Sequence, residues 1–210
     1  GFSDVPETAP YHDSVVYLSE RQIVTGTGVG QFSPDAPITV RQWAVMLCRA
    51  YGVQMKGNGW MEQSQSGVDA AYGNGWLSET AVVSPETQLC RSAVLESAFD
   101  AAQIPVYDNV LYGGKALSRE ENVLRVGQEL GLCSASSTVG ERVTRGEAAV
   151  YLYETLTHQF VVEAPKSPVV CENRSDANLN DYLMELRYLP DTVLNAFNEH
   201  GWKLVIDHAY

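Results

Sequence analysis

The sequence is poor in charge, and most of the charge it has is negative. Only 19% of its 210 residues are charged, with 14 Lys plus Arg against 26 Asp plus Glu, which gives a net charge of −12. So acidic a surface repels nucleic acid and anionic lipid, which excludes broad electrostatic binding to either. No apolar run reaches the roughly 18 residues that a membrane span needs, so we expect no membrane insertion. Any anion has to be held by a few local donors.

Metal-binding and catalytic motifs are also missing. Cys48, Cys90, Cys133 and Cys171 stand 42, 43 and 38 residues apart, with no histidine at ligand spacing, so the sequence predicts no zinc site. Cys48 and Cys133 fit small buried residues, although an even count leaves three disulfide pairings open. There is no His-Glu-x-x-His motif and no nucleophile elbow, so we expect no catalysis by this chain and no cofactor.

What the chain does contain is an internal repeat. Residues 32–43 align without a gap on residues 83–94, an offset of 51, and a shorter third match follows a further 54 residues along. A helix is predicted after each match. Its first residue is Val40, Arg91 or Arg145, and we call this residue the helix-start position of copies one, two and three.

A hydrophobic stripe follows each helix-start position. Apolar residues recur 3, 6, 7, 10 and 11 places after Val40 and, apart from Thr155, after Arg145, which is the pattern of one buried helical face. Copy two keeps the stripe with smaller residues. An earlier helix that closes on a glycine-containing turn is predicted at residues 11–22, 61–74 and 118–130. The copies therefore span residues 1–52, 53–104 and 105–160, and three copies around a common centre can bury stripes that one copy cannot.

Side-chain caps are predicted at most of these helix starts. The capping box, in which a hydroxyl and a carboxylate or amide satisfy each other's backbone donors, fits three pairs: Thr39 with Gln42, Ser118 with Glu121, and Thr144 with Glu147. Copy two has Cys90 and Ala93 at the corresponding places and lacks the box. We therefore expect the start of its second helix to fray more readily.

Several short motifs belong together with this repeat. In copy one they are Phe2-Ser-Asp-Val-Pro6, Ile23-Val-Thr-Gly26, residues 30–35 and Ile38-Thr-x-x-Gln42; in copy three the motif is Val143-Thr-Arg-Gly-Glu147. Taken together, residues 1–160 resemble three S-layer homology repeats, with copy two the most divergent. The resemblance implies a mainly α fold, in which three helix-loop-helix repeats form a pseudo-threefold bundle.

The same resemblance implies a binding function. Such repeats attach exported proteins non-covalently to a secondary polysaccharide of Gram-positive cell walls, often one that bears pyruvate ketals. The expected partner is thus an anionic cell-wall polysaccharide, and the expected location is extracellular, at the cell surface.

The helix-start arginines are the candidate ligands. A cation at the first position of a helix gains nothing from the dipole, so a recurring Arg there suggests a ligand carboxylate, which its planar fork binds through two hydrogen bonds. The unpaired N–H groups of a helix start favour an anion too. The alternative is that each Arg pairs structurally with an acidic residue of the neighbouring copy. With the resemblance, the predicted binding residues are Arg91 and Arg145 as principal ligands, Thr144 and Glu147 as residues that order the helix start, and Asp4 and Arg41 in copy one.

Copy one departs from this pattern. Val40 takes the helix-start position, and Arg41 lies about 100° further round the helix. We therefore expect one or two working grooves rather than three.

The remainder of the chain has a different composition. Residues 161–176, with Pro165 and Pro168, predict an extended linker. Residues 177–210 predict a short α/β C-terminal segment of two helices and a strand, and they weakly resemble the start of a lethal-factor-like secreted metallopeptidase domain. An alternative function is therefore the N-terminal part of such an enzyme, whose catalytic core would be absent from this chain.

Overall fold

A computed structural model of the protein describes residues 1–106, 111–112 and 115–160. Its helices are α1 (His12–Glu20), α2 (Val40–Ala50), α3 (Gly59–Gly73), α4 (Glu79–Val83), α5 (Arg91–Ala102), α6 (Arg119–Glu129) and α7 (Arg145–Thr157). Strands β1 (Leu111–Tyr112) and β2 (Lys115–Ala116) form a small antiparallel pair between α5 and α6. The prediction of a mainly α fold is confirmed. The predicted linker, the C-terminal segment and its metallopeptidase resemblance lie outside the described residues.

The predicted capping boxes form at two of the three helix starts. In α2, Thr39 Oγ1 accepts from the N–H of Gln42, and Gln42 Oε1 accepts from the N–H of Thr39, both at 3.2 Å. Ser118 caps α6 in the same reciprocal way. In α7 only half of the box forms, because Thr144 Oγ1 accepts from the N–H of Glu147 while the Glu147 carboxylate lies near Arg91 instead. The start of α5 has no side-chain cap, as predicted from Cys90.

The helices pack in a cyclic order. The first helix of each copy packs on the second helix of another copy: α3 on α2, α6 on α5, and α1 on α7. The three second helices, α2, α5 and α7, contact one another. At the α5–α6 contact a side chain of α5 lies close to the backbone of α6, since a Cβ added to Gly127 would lie 3.0 Å from Leu95 Cδ1. These contacts are consistent with the predicted pseudo-threefold arrangement.

Three backbone hydrogen bonds close a ring between the copies. The N–H of Ile38 donates to Val143 O (2.9 Å), that of Val143 to Leu89 O (3.1 Å), and that of Leu89 to Ile38 O (3.0 Å). All three residues are buried, and each stands two places before its helix-start position. The ring gives every copy one donor and one acceptor toward its neighbours, so the three helix starts are held around one centre.

One hydrophobic core draws on all three copies. Its largest fully buried side chains include Trp43, Phe32, Leu95 and Leu152. Burying a side chain of this size contributes about 1.5–3 kcal/mol. The repeat boundaries at residues 52 and 104 stay a prediction, because a shared core does not mark them.

Two elements were not predicted from the sequence. Helix α4 is five residues long with no buried residue, so it has no hydrophobic stripe to reveal it. Its start is capped by Ser78, whose Oγ accepts from the N–H of Ala81 (3.3 Å). The β1–β2 pair has two residues per strand, too few for an alternating pattern. In the part of the chain that the structure describes, no helix is long and apolar enough to cross a membrane.

Candidate functional site

The backbone N–H groups at the three helix starts are already bonded. The helix-start residues Val40, Arg91 and Arg145 donate to Thr87 O, Glu141 O and Ala36 O, at 2.9, 2.8 and 2.8 Å. The next N–H group in each helix also donates to a loop carbonyl of another copy. The expectation that helix starts offer unpaired backbone donors is therefore wrong at these positions. Packing between copies satisfies them, so any ligand must be bound by side chains.

The Arg145 side chain reaches from copy three into the turn of copy one. Its Nε donates to Phe32 O at 2.8 Å and its Nη2 to Thr25 O at 3.2 Å, while the guanidinium carbon lies 4.6 Å from the centre of the Phe32 ring. Arg145 is only 5% exposed, and burial lowers its pKa, an effect that the negative charge of Asp4 opposes. A guanidinium has five N–H donors, so two bonds leave three for a ligand.

A groove opens beside Arg145 and is built from all three copies. We call it the Arg145 groove; its polar and aromatic lining consists of Thr25, Thr27, Gln42, Arg49, Trp60 and Arg145. Its volume is about 390 Å³, within the range of small-molecule sites. Its described lining includes two arginines and no carboxylate. In a chain of net charge −12, this is a local positive site.

Two residues of the Arg145 groove were missed by the sequence analysis. Trp60 is the second residue of α3 and remains 47% exposed on the groove. Arg49 lies in the last turn of α2. Comparing the copies could not find either residue, because the repeat alignment favours what all copies share. Arg49 stands nine places after a helix-start position, where the other copies have Asp100 and Glu154.

The Arg91 side chain is more fully occupied than that of Arg145. Its Nη2 lies 3.0 Å and its Nε 3.3 Å from Glu141 Oε2, its Nη1 lies 3.5 Å from Glu147 Oε2, and Nη1 also donates to the Tyr151 hydroxyl. Arg91 is 8% exposed. Four of its five donor hydrogens are therefore used. Two of its partners are carboxylates of copy three. Arg91 thus has the structural pairing with acidic residues of a neighbouring copy that the sequence analysis left open as an alternative.

A second groove lies beside Arg91. This Arg91 groove is lined by Tyr11, Arg91, Ser134, Glu141, Glu147 and Tyr151, among others, and its volume is about 630 Å³. A hydrogen bond from the Thr138 N–H and the Arg91 guanidinium hold the pKa of Glu141 below its usual range, so this carboxylate stays ionised. Two carboxylates face one guanidinium, and the groove carries no excess of positive charge.

The two grooves correspond residue by residue. Counted from the helix-start positions, Gln42 in the Arg145 groove matches Glu147 in the Arg91 groove, and Met46 matches Tyr151. Each groove takes its helix-start arginine from a neighbouring copy. The same site thus occurs twice with different charge, positive at Arg145 and balanced at Arg91.

Arg41 and Asp4 lie in contacts within the protein. The Arg41 Nε is 2.5 Å from Glu86 Oε1, its Nη1 is 3.1 Å from Ser64 Oγ, and the residue is 7% exposed. Asp4 accepts from the N–H groups of Phe32 (2.9 Å) and Ser33 (2.7 Å), and these bonds lower its pKa. Neither residue lines the Arg145 groove or the Arg91 groove.

Possible metal ligands are dispersed. No group of three or more His, Cys, Asp or Glu within residues 1–106, 111–112 and 115–160 is placed to hold a metal ion. Cys48, Cys90 and Cys133 are not paired with one another, and Cys171 lies outside the described residues. Burial raises the pKa of Cys48 to about 11, which makes its thiol unreactive at neutral pH.

Comparison with known proteins bears on the first copy. Residues 1–39 match the model of the S-layer homology domain. No curated protein matches the chain. The matched segment contains Thr25 and Gly26 of the Arg145 groove and ends at the Thr39 cap. The match supports attachment to the cell wall in general, a cell-surface location and a binding rather than catalytic role for this segment.

Proposed function

We propose that this chain anchors an exported bacterial protein non-covalently to an anionic secondary polysaccharide of a Gram-positive cell wall. The acidic group bound is a sugar-borne carboxylate, such as that of a pyruvate ketal. One observation carries the proposal: as far as the described residues show, Arg145 lines a groove without carboxylates and keeps three N–H donors unused. The S-layer homology match of residues 1–39 supports a cell-wall ligand.

Arg145 is oriented before the ligand arrives. Carbonyl oxygens of Phe32 and Thr25 hold Nε and Nη2, and the Phe32 ring supports one face of the guanidinium. A fixed guanidinium loses little side-chain entropy on binding, and its free edge can form two parallel hydrogen bonds with a carboxylate. Trp60 offers an exposed aromatic face on the same groove for the apolar side of a sugar ring.

The Arg91 groove has a weaker role in this proposal. A ligand carboxylate has to compete there with Glu141 and Glu147 for the same guanidinium. Thr144 and Glu147 act at the start of α7, where Thr144 caps the helix that positions Arg145. In this proposal Arg41 and Asp4 support the fold rather than contact the ligand, and their bonds to Glu86 and to the Phe32 N–H support that assignment.

Sedimentation with purified cell walls tests the proposal. The full chain should pellet with the walls, and Arg145→Gln should lower the affinity about tenfold or more, because a buried partner of a ligand carboxylate is lost. Arg21→Gln is the matched control, since Arg21 is exposed, stacks on Tyr17 and lies outside both grooves. Removing ketal pyruvate from the walls by mild acid should abolish the difference between Arg145→Gln and the control.

Unchanged wall binding by a folded Arg145→Gln variant would overturn the proposal. Because Arg145 also holds two carbonyl groups, its variant must first be compared with the wild type by thermal unfolding. Arg145→Lys provides a second test. It keeps the charge and loses the planar fork, so we expect binding between those of the wild type and of Arg145→Gln.

A further inference from the structure

Arg49 is a cation without an acidic partner in the part of the chain that the structure describes. Its Nη1 lies 3.5 Å from Thr25 Oγ1, at the limit of a hydrogen bond, and it forms no ion pair with a carboxylate of the described residues. Burial lowers the pKa of Arg49, and no neighbouring carboxylate opposes that effect. Four of its five donor hydrogens have no acceptor in this part of the chain. Its charge is thus unbalanced in a half-buried position.

The fold explains only part of this placement. Arg49 belongs to the last turn of α2, where a cation interacts favourably with the helix dipole. Its guanidinium nevertheless extends toward Thr25 on the opposite wall and lines the Arg145 groove. The equivalent residues of the other copies are Asp100 and Glu154, both acidic. The repeat therefore accepts either sign of charge at this position.

The Arg145 groove brings two guanidinium groups to one cleft. Arg145 begins α7 of copy three and Arg49 lies in the last turn of α2 of copy one, and none of the described residues that line the space they share is a carboxylate. Asp4 offsets part of the Arg145 charge, whereas Arg49 has no carboxylate partner among the described residues, so an anion that enters this cleft meets an unneutralised guanidinium. We infer that Arg49 is a second anion-binding residue of this groove, and that the groove is selective for a glycan segment with two acidic groups, one for each guanidinium.

This inference rests on the proposed function and specifies its ligand. Arg145, held at Nε and Nη2, takes the first carboxylate. Arg49, whose guanidinium has one hydrogen bond among the described residues, takes the oxyanion of the next sugar, which is either a carboxylate or a phosphate. The repeat equivalent of Arg49 in copy three is Glu154, which pairs with His158 at 3.0 Å and is not among the described residues that line the Arg91 groove, so that groove lacks a second guanidinium there. A glycan with two acidic groups is therefore directed to one of the two grooves.

Three synthetic sugars test the inference by isothermal titration of the full chain. The one-acid probe is a methyl hexoside with a 4,6-pyruvate ketal; the two-acid probes join that ketal sugar to a uronic acid or to a sugar phosphate. The wild type should bind at least one two-acid probe about tenfold more tightly than the one-acid probe, the effect of added hydrogen bonds to a charged group. The preferred two-acid probe identifies the second oxyanion.

Variants separate the inference from the proposed function. Arg49→Gln should bind all three probes with similar affinity, since the contact to the second acidic group is lost. Arg49→Lys should restore part of the preference, and Arg21→Gln should keep all of it. If Arg49 acted only at the end of α2, Arg49→Gln would change the thermal stability and would keep the preference for the two-acid probes.

Two outcomes overturn the inference alone. One is that neither two-acid probe binds more tightly than the one-acid probe, and the other is that Arg49→Gln retains the preference; in both, one-acid binding still depends on Arg145. If Arg145→Gln leaves one-acid binding unchanged, the proposed function fails as well.

Discussion

Gln42 and Glu147 occupy the same position in equivalent helices but make different contacts. Gln42 Oε1 accepts from the N–H of Thr39 and closes the capping box of α2, whereas Glu147 Oε2 lies 3.5 Å from Arg91 Nη1 and leaves the box of α7 half formed. One amide-for-carboxylate difference thus distinguishes the two helix starts. It also gives one groove a neutral wall and the other an acidic one.

Glu147→Gln should strengthen anion binding in the Arg91 groove. The substitution frees Arg91 Nη1 from one carboxylate and lets the new amide close the capping box with Thr144. In an Arg145→Gln background, the remaining wall binding reports on the Arg91 groove. Adding Glu147→Gln to it should raise the wall affinity about threefold, the effect expected for the loss of one competing ion pair that is partly exposed. Co-sedimentation measures it.

Glu120→Gln in the same background is the control for that measurement. Glu120 is an exposed residue of the first turn of α6, so the substitution changes the net charge equally. Equal affinities for the two double variants would contradict the prediction and indicate that Glu147 does not compete with the ligand.

Arg41→Met should lower stability without weakening wall binding. Methionine keeps the apolar stem but loses the hydrogen bonds to Glu86 and Ser64. Because Glu86 is largely exposed and can regain water, we expect a loss of about 1–2 kcal/mol in the free energy of unfolding, measured with urea. Arg21→Met on the surface is the control. A loss of wall binding at unchanged stability would instead assign Arg41 to the ligand.

Cys90→Thr should stabilise the start of α5. The residue precedes the helix with extended backbone (φ −83°, ψ 165°), and no side chain caps the first turn. A threonine hydroxyl there can accept from the N–H of Ala93, which is worth about 0.5–1 kcal/mol, or roughly 1–4 °C in Tm for a chain of this size. Cys90→Val has the same shape without the hydroxyl and should give no gain.

Asp4 should make stability depend on pH at the acidic end. Its carboxylate accepts from the N–H groups of Phe32 and Ser33, which lowers its pKa from the ordinary value of 3.8. A lowered pKa in the folded state means that the contribution is complete above that ordinary value and is lost as the pH falls through the folded pKa. Asp4→Asn should therefore have a lower Tm than the wild type at pH 7, and the gap should narrow below pH 4.

The gap in Tm between the wild type and Asp4→Asn is the quantity to follow, since other carboxylates titrate in both proteins. Thermal unfolding at intervals from pH 7 to pH 2 provides it. A gap that stays constant over this range would show that the Asp4 hydrogen bonds do not require the charge.

The parts of the fold that follow from local rules could be predicted from the sequence. The capping pairs and the spacing of apolar residues located α2, α6 and α7 to within a residue at their starts. The partners of the arginines could not be predicted, because they depend on tertiary packing. Arg145 bonds to Phe32 across 113 residues, and Arg91 to Tyr151 across 60. No local pattern distinguishes an arginine beside carbonyl groups from one beside carboxylates.

Arg49 shows a second reason. The repeat alignment located the helix-start arginines because two copies share them, and the same alignment passed over a cation found in one copy only. Residues that make one groove different from another are lost when copies are compared for what they have in common. The structure recovers Arg49 because it shows which side chains face the same cleft.

The ring formed by Ile38, Leu89 and Val143 distinguishes this assembly from open-ended repeat arrays. A solenoid can lengthen or shorten by whole units, since its ends are already exposed. Here, deleting any one copy would remove two of the three ring hydrogen bonds. One remaining copy would keep an unbonded N–H group and the other an unbonded carbonyl, both facing the former centre. Three is therefore a fixed number for this architecture, and sequence divergence has to proceed within the units, as it has at Val40 and Arg49, rather than by changing how many there are.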